Sequence, residues 1–298
     1  MGGAREVSML NIGVIGCGFR SISLISHFKG RKGVRIWGAW DPIQSNARLL
    51  LQHQQQPDGK IYSSFEELVN DQQVDWVFVG SPNAFHKEHI IAAFRAGKHV
   101  FSEKPLATSI EDCVAINGEH AKSGKLFATG FTLRYASIYR KVKSILDSGV
   151  LGKIVSINAC ENIRPDHGYY IMCNWRRRGE LAGPHILEKC VHDLDLLNWF
   201  CDSVPLKIAA FGGNNMFVPE NESLYHRHRS VFEVWEKSIE IDRFDEAADN
   251  AFIAEKTIED NVVAIMEYAN SCRVQFQATM SNSLPERRMY FHCTGGNL

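Results

Sequence analysis

No stretch of this chain approaches the roughly 18 uninterrupted apolar residues of a spanning helix, and the opening MGGAREVSML lacks the apolar core of a secretion signal. We therefore expect a soluble, cytoplasmic protein with no membrane role. Neither sign of charge is in surplus. Lys and Arg number 33 against 34 Asp and Glu, a formal net of -1 with histidine neutral, and the pI is near 6.9. Without a basic field nothing recruits nucleic acid or anionic lipid over long range. Close cysteine pairs are missing too. The eight cysteines (Cys17, Cys113, Cys160, Cys173, Cys190, Cys201, Cys272, Cys293) form no CxxC, so the ligand spacing of a zinc site is absent. We read them as reduced structural thiols inside apolar segments. Internal repeats and low-complexity tracts are also lacking.

What remains is 298 residues of ordinary globular composition, 45% hydrophobic and 22% charged. That is about two average domains, long enough to bury a core without staples. Across residues 10–130, short β-rich runs alternate with amphipathic stretches. LNIGVIG, VRIWGAW, DWVFVG, KHVFS and KLFATG read as strands. Helices are expected over residues 20–28, 43–54, 85–96 and 109–123, with a short one opened by a capping box at Ser63 and Glu66. Alternation of this kind predicts a doubly wound parallel sheet. After Gly130 the texture changes to a helix over 137–148, the strand KIVSINACE, an arginine-rich loop and a helix over 186–200. KIAAFGG, NVVAIMEYA, CRVQFQATM and MYFHC then follow without intervening helices, which predicts a mostly antiparallel sheet. The charged stretch 219–256, with HRHR at 226–229, reads as an exposed, partly helical excursion. We place the domains at 1–130 and 131–298.

VIGCGFR sets Gly16 and Gly18 between the first strand and the first helix, where bare backbone can approach a pyrophosphate. Ser21 stands at the third glycine of the fingerprint and is small enough for close packing. A tight strand-to-helix turn would also need two glycines. Asp41 favours the cofactor, because it ends the second strand 23 residues after Gly18, close to the spacing of an acid on the adenosine ribose. A carboxylate there repels the extra phosphate of NADP, so NAD is expected, with Arg20 or Arg48 leaving NADP open. Two further loops leave strand ends on the same edge. One carries Ser81, Pro82, Asn83 and His86, of which Asn83 and His86 read equally as turn or cap residues. The other carries Glu103, Lys104 and Pro105, where proline fixes the loop. Lys104 there could transfer a proton or hydrogen-bond a substrate hydroxyl; a surface ion pair is the plainer alternative.

Taken in order, VIGCGFR, AWDP, SPNAFHKEHIIAAFRAGKHVFSEKPLA, GFTLRY and a His-x-x-Asp helix resemble the Gfo/Idh/MocA oxidoreductase family over nearly the whole chain. The resemblance implies an N-terminal Rossmann domain and a C-terminal α/β domain with a large open, mostly antiparallel sheet. It also implies NAD(P)-dependent oxidation or reduction at a sugar or cyclitol carbon, and homodimers or homotetramers made through the outer face of that sheet. By position it puts Gly16, Gly18, Phe19, Arg20 and Asp41 on the cofactor with the two later loops, Glu103 by the nicotinamide ribose, Lys104 in the catalytic pocket and Arg134 on the substrate side. It leads us to expect further chain after the closing CTGGNL, unless this is a short branch of the family.

In LAGPHILEKCVHDLDLLNWF, Glu188, His192, Asp195 and Trp199 fall at spacings of four, three and four, one face of a helix. Wet faces of ordinary helices show the same residues. The resemblance puts the catalytic histidine here, with Glu188 at the family's aspartate. His192 is the candidate acid/base, since a histidine's ordinary pKa of about 6.5 suits reversible proton transfer. Lys104 would stabilise charge on the substrate oxygen, Glu188 or Asp195 would hold the imidazole, and Lys189 would contact substrate hydroxyls or a carboxylate. Arg164, Asp166, His167, Tyr169 and Arg176 to Arg178 are expected in a bordering loop. Two competing functions share these residues: an NAD-dependent glycosidase working by transient oxidation, and a dinucleotide-binding regulator without catalysis. No metal is expected.

Overall fold

The computed structural model describes residues 9–235, 238, 241 and 248–298. These divide into two units, residues 9–130 with 241 in the first and the remainder in the second. In the first, β1 (Leu10–Ile15), β2 (Val34–Trp40), β3 (Lys60–Ile61), β4 (Trp76–Val79), β5 (His99–Ser102) and β6 (Phe127–Thr129) form one sheet in the order β3-β2-β1-β4-β5-β6, and every pairing is parallel. Helices α1 (Phe19–Ile25), α2 (Gln44–His53), α3 (Phe65–Asn70), α4 (His86–Arg95) and α5 (Ile110–Ser123) are the crossovers. A parallel sheet is covered on both faces, so its central strands are apolar over most of their length. Val14, Ile36 and Phe78 pack with Ile25 and Leu50 in one cluster; Ile15, Val77 and Val79 pack with Leu68, Ile90 and Phe94 in another. The cap of α3 lies one residue later than Ser63: Ser64 Oγ accepts from Glu67 N at 3.2 Å, while Glu67 reaches back to Ser63 N at 2.9 Å.

The second unit holds β7 (Ile154–Asn162), β8 (Pro205–Gly213), β9 (Asn261–Tyr268), β10 (Arg273–Thr279), β11 (Glu286–Cys293) and β12 (Gly296–Asn297) in the order β12-β11-β7-β10-β9-β8. Only β7 and β10 run parallel; the other pairs are antiparallel. Alternate residues of β9 and β10 are buried, and Met266, Val274, Phe276 and Ala278 meet Leu196, Leu197 and Phe200 from the helical layer. Their neighbours point outward, and the opposite face exposes Phe211, Val263 and Ile265. The helices are α6 (Ser137–Asp147), α7 (Pro165–Cys173), α8 (Gly179–Ala182), α9 (His185–Glu188) and α10 (Val191–Cys201).

Three expectations change here. The helix expected over 186–200 is two pieces, interrupted at Lys189 and at Cys190, whose ψ of -1° carries the chain off the helical path. The arginine-rich loop contains a buried helix, α7, with Pro165 in its first turn. The excursion is partly helical, yet its described part is no mere surface, since Phe217, Phe232 and Phe252 form a core with Tyr169 and Met172. Residues 236–237, 239–240 and 242–247 of that excursion lie outside the described residues. Among the described residues no helix is long and apolar enough to cross a membrane, and no group of three or more His, Cys, Asp or Glu is placed to hold a metal ion.

Candidate active site

In the first unit the sequence candidates sit where β1, β2, β4 and β5 end, the edge at which open α/β sheets take ligands. Gly16 follows β1 with φ of +83°, and a Cβ there would overlap the Ser81 backbone nitrogen. Only glycine permits both this conformation and this approach. Gly18 caps α1 through its backbone alone, and Phe19 and Arg20 open that helix, both exposed at its start. Ser21 is fully buried, and a Cβ on Gly80 would strike its hydroxyl. Ser21 thus fills the third fingerprint position, and Gly80 supplies the clearance. The cradle therefore fits a dinucleotide: two loops meet with no side chain between them.

Asp41 ends β2 and is 8% exposed. Its Oδ2 accepts from Cys17 N at 2.8 Å and its Oδ1 from Ile43 N at 2.9 Å, so it braces the glycine loop, a duty its spacing did not announce. The same carboxylate and, more strongly, burial push the Cys17 thiol far up, which leaves it inert. After β4, Pro82 is half-buried and Ser81 and Asn83 are buried. Ser81 Oγ lies 2.9 Å from His89 Nδ1. His86 has no exposed surface, and its nitrogens lie 2.8 Å from Pro105 O and 2.9 Å from Ser81 O. It acts on the site by tying the two loops together rather than by touching a ligand. Burial holds it below the ordinary histidine range, although both carbonyls favour its cation.

Glu103 is nearly buried. It accepts from Lys104 N at 3.1 Å and pairs with Arg20 Nε at 3.3 Å, and its carboxylate packs on Gly130, where a Cβ would come within 3.0 Å of Oε2. Lys104 is half-buried in the turn that Glu103 and His86 hold.

In the second unit, Arg134 lies in the short turn Thr132–Tyr135 and grips Asp195 with two bonds of 2.7 Å, its guanidinium 5.4 Å from the Trp199 ring centre. Asp195 is therefore Arg134's partner. His192, half-buried on α10, stands edge-on to Phe131 at 6.2 Å. Glu188 on α9 is buried and 3.4 Å from Arg176 Nε; Arg176 also donates to Tyr170 OH at 2.9 Å. Lys189 Nζ lies 3.8 Å from Glu161 Oε1.

That Glu161 contact belongs to a network absent from our sequence reading. Arg287 on β11 reaches Glu161 at 2.7 Å and Asp193 at 2.8 Å. Asp193 is fully buried, and burial pushes it up to about 6 against the pull of Arg287. His167 on α7 lies with its ring centre 5.4 Å from that of Trp235, tilted by 30°. Burial, then Lys189, drives it down to about 3, so it is neutral at physiological pH. Alternating strands place Glu161 and Arg287 inward, but no local spacing links residues 126 apart.

Comparison with known proteins matches residues 10–131 to a family described as "Oxidoreductase family, NAD-binding Rossmann fold" and residues 139–298 to the "GFO/IDH/MocA C-terminal domain". The chain belongs to the Gfo/Idh/MocA oxidoreductase family. Its first unit is thus an NAD-binding Rossmann domain. Curated relatives include an inositol 2-dehydrogenase of Gluconacetobacter diazotrophicus, 36% identical over 65% of this chain and 55% of that one, and a 2,7-anhydro-N-acetylneuraminate hydratase of Escherichia coli K12, 29% identical over 69% and 54%. The chain spans about half the length of the curated relatives it matches. Among solved structures, myo-inositol 2-dehydrogenase of Lactobacillus plantarum aligns with a TM-score of 0.75 at 17% identity over 98% of this chain and 76% of that one. The scyllo-inositol dehydrogenase of Lactobacillus casei, solved with NAD(H) and scyllo-inositol, aligns at 0.73 and 21% identity, covering 98% and 76%. These two share the family's fold.

Proposed function

We propose that this Gfo/Idh/MocA protein is an NAD-dependent oxidoreductase acting at a secondary alcohol or ketone carbon of a sugar, cyclitol or related polyol. When bound, NAD supplies the two-electron acceptor or donor for that carbon. The observation that carries this is the Glu103-Lys104-Pro105 turn, in which buried Glu103 holds the Lys104 amide and His86 holds Pro105. An amine is thereby presented on the ligand-binding edge of the sheet. Gly16 and Gly18 take the pyrophosphate and Asp41 the adenosine ribose, which disfavours NADP. Ser81, Pro82 and Asn83 with Phe19 and Arg20 border the cofactor, and Glu103 holds the turn on its nicotinamide side. Lys104 orients the substrate oxygen and stabilises charge developing on it. His192 exchanges the oxygen's proton, and Arg134, Glu188 and Lys189 set the substrate's polar groups. The exposed apolar face of the second sheet, carrying Phe211, Val263 and Ile265, is where two copies would join.

A screen of sugars, cyclitols and their keto forms, following NADH and NADPH absorbance in both directions, tests this. Lys104→Met and His192→Asn should each lower turnover about 100-fold or more, the usual share of a positioned acid/base. Wild-type turnover in both would sink the assignment, and tighter binding of NADP than NAD would sink the role given to Asp41. The relative named a hydratase favours a second reading, a cycle that oxidises and then re-reduces the substrate. Product formation without net NADH distinguishes it.

A further inference from the structure

We propose that Cys201 and Cys272 form a redox-modification site that closes to a disulfide when a hydroperoxide reaches it. Cys201 is the last residue of α10, and Cys272 stands just before β10. Their sulfurs are 3.8 Å apart, in contact as a hydrogen-bonded thiol pair. A disulfide needs an S–S length of about 2.05 Å, hence about 1.8 Å of further approach.

Asn270 ties the two backbones beneath the pair to each other. Asn270 donates its amide to Cys201 O at 2.9 Å and accepts from Cys272 N at 3.1 Å. Its own N–H donates to Ser203 Oγ at 3.3 Å, next to the α10 terminus. Asp202 and Ser271, which adjoin the two cysteines in sequence, take φ of 46° and 68°.

The electrostatics separate the roles. The bond from Cys201 and the charge of Arg273 draw the Cys272 thiol below its ordinary range against burial, while its hydrogen bond to Cys272 and burial push Cys201 up. Cys272 therefore loses its proton first and attacks one peroxide oxygen. With hydrogen peroxide as the oxidant the O–O bond breaks, hydroxide leaves and takes up the proton Cys272 released, giving the first water, and a sulfenic acid forms. Cys201 sulfur then attacks that sulfur, the S–O bond breaks, and the departing oxygen leaves as water with the Cys201 proton. Two thiols lose two electrons, and one peroxide becomes two waters. Cys293 is the competing thiol, near enough for Cys272 to raise it.

The test is peptide mapping of the folded wild-type protein under non-reducing conditions, after hydrogen peroxide and after subsequent dithiothreitol. We expect a Cys201–Cys272 linked peptide pair lighter by two hydrogens and reversed by dithiothreitol. In Cys201→Ser, dimedone should trap a sulfenic acid on Cys272; in Cys272→Ser, Cys201 should stay reduced. The proposal fails if both cysteines remain reduced while others oxidise, if Cys272 links to Cys293 instead, or if the link appears only under denaturing conditions. No substrate or cofactor enters the assay, so its result is independent of the proposed activity.

Discussion

Replacing Arg287 by methionine removes the one guanidinium that two carboxylates of the second unit share. Its nitrogens lie 2.8 Å from Asp193 and 2.7 Å from Glu161, whose side chains are 0% and 7% exposed. Burial lifts Asp193 from the ordinary 3.8 to about 6, Arg287 pulls it down, and Glu161 adds to the rise. A carboxyl raised on folding contributes its full stability while protonated and loses it as pH climbs from about 4 through about 6. For Asp193 that loss is about 3 kcal/mol. Methionine at 287 removes the downward pull, so Asp193 rises further and the loss extends to higher pH, while Glu161 keeps only the 3.8 Å contact with Lys189 as a described ion pair. We expect Arg287→Met to cost about 3–5 kcal/mol at pH 8, as for a broken buried pair. At pH 5, where Asp193 mostly holds its proton in both proteins, the cost should fall to about 1–2 kcal/mol. Urea denaturation followed by circular dichroism at the two pH values measures both. A deficit equal at pH 5 and pH 8, or under about 1 kcal/mol at pH 8, refutes the reasoning.

Gly16→Ala places a Cβ against Ser81 N at a φ of +83°; we expect at least about 2 kcal/mol of destabilisation and a tenfold or greater loss of NAD affinity by calorimetry, and binding within twofold of wild type would contradict the cradle. Asp260, 1% exposed, accepts the backbone N–H groups of Asn215, Met216 and Phe217 at 2.8–3.1 Å. Asp260→Ala leaves those donors unmet and should cost about 3–5 kcal/mol, with Asp260→Asn intermediate because it keeps one acceptor oxygen; a thermal midpoint unchanged in the alanine variant would count against this.

The cofactor half of the molecule was readable because its chemistry is local. Gly16, Gly18 and Asp41 lie at fixed offsets from strands whose apolar runs mark them plainly, and Lys104 is adjacent in sequence to the Glu103 that holds it. The second unit's site draws its charges from β7, α10 and β11, and the 94 residues between Asp193 and Arg287 leave no periodic trace. The break at Lys189 and Cys190 was equally silent, since the spacing of four, three and four from Glu188 to Trp199 continues across it; a backbone torsion, not a Gly or Pro, makes the interruption. Ser63 and Ser64 are both good caps, and adjacent serines cannot say which one faces the helix. Asp41 and Glu103 show a subtler limit. Their positions were legible, but their duties as internal braces depend on which backbone amides the fold brings to them.

The burial of His89 should make the first unit labile to acid. His89 is 4% exposed, bonded through Nδ1 to Ser81 Oγ and set edge-on to Trp40 and Phe65. Burial first, and His86 second, lower it to about 3. The sign is opposite to that of Asp193. A base depressed on folding contributes its full stability above the unfolded value near 6.5 and loses it as pH falls toward about 3, because the unfolded chain takes up a proton the folded one refuses. Between pH 7 and pH 5 this removes about 2 kcal/mol, and about 4–5 kcal/mol over the full window. In the second unit His167 carries a loss of the same sign, and Asp193 works the other way between about 6 and 4 and offsets part of it. His89→Gln keeps an amide able to bond Ser81 and has nothing to protonate. Its urea midpoint should change less than the wild type's between pH 7 and pH 5, by an amount equivalent to nearly one proton. An unchanged acid slope in that variant would show that the burial of His89 does not set the limit.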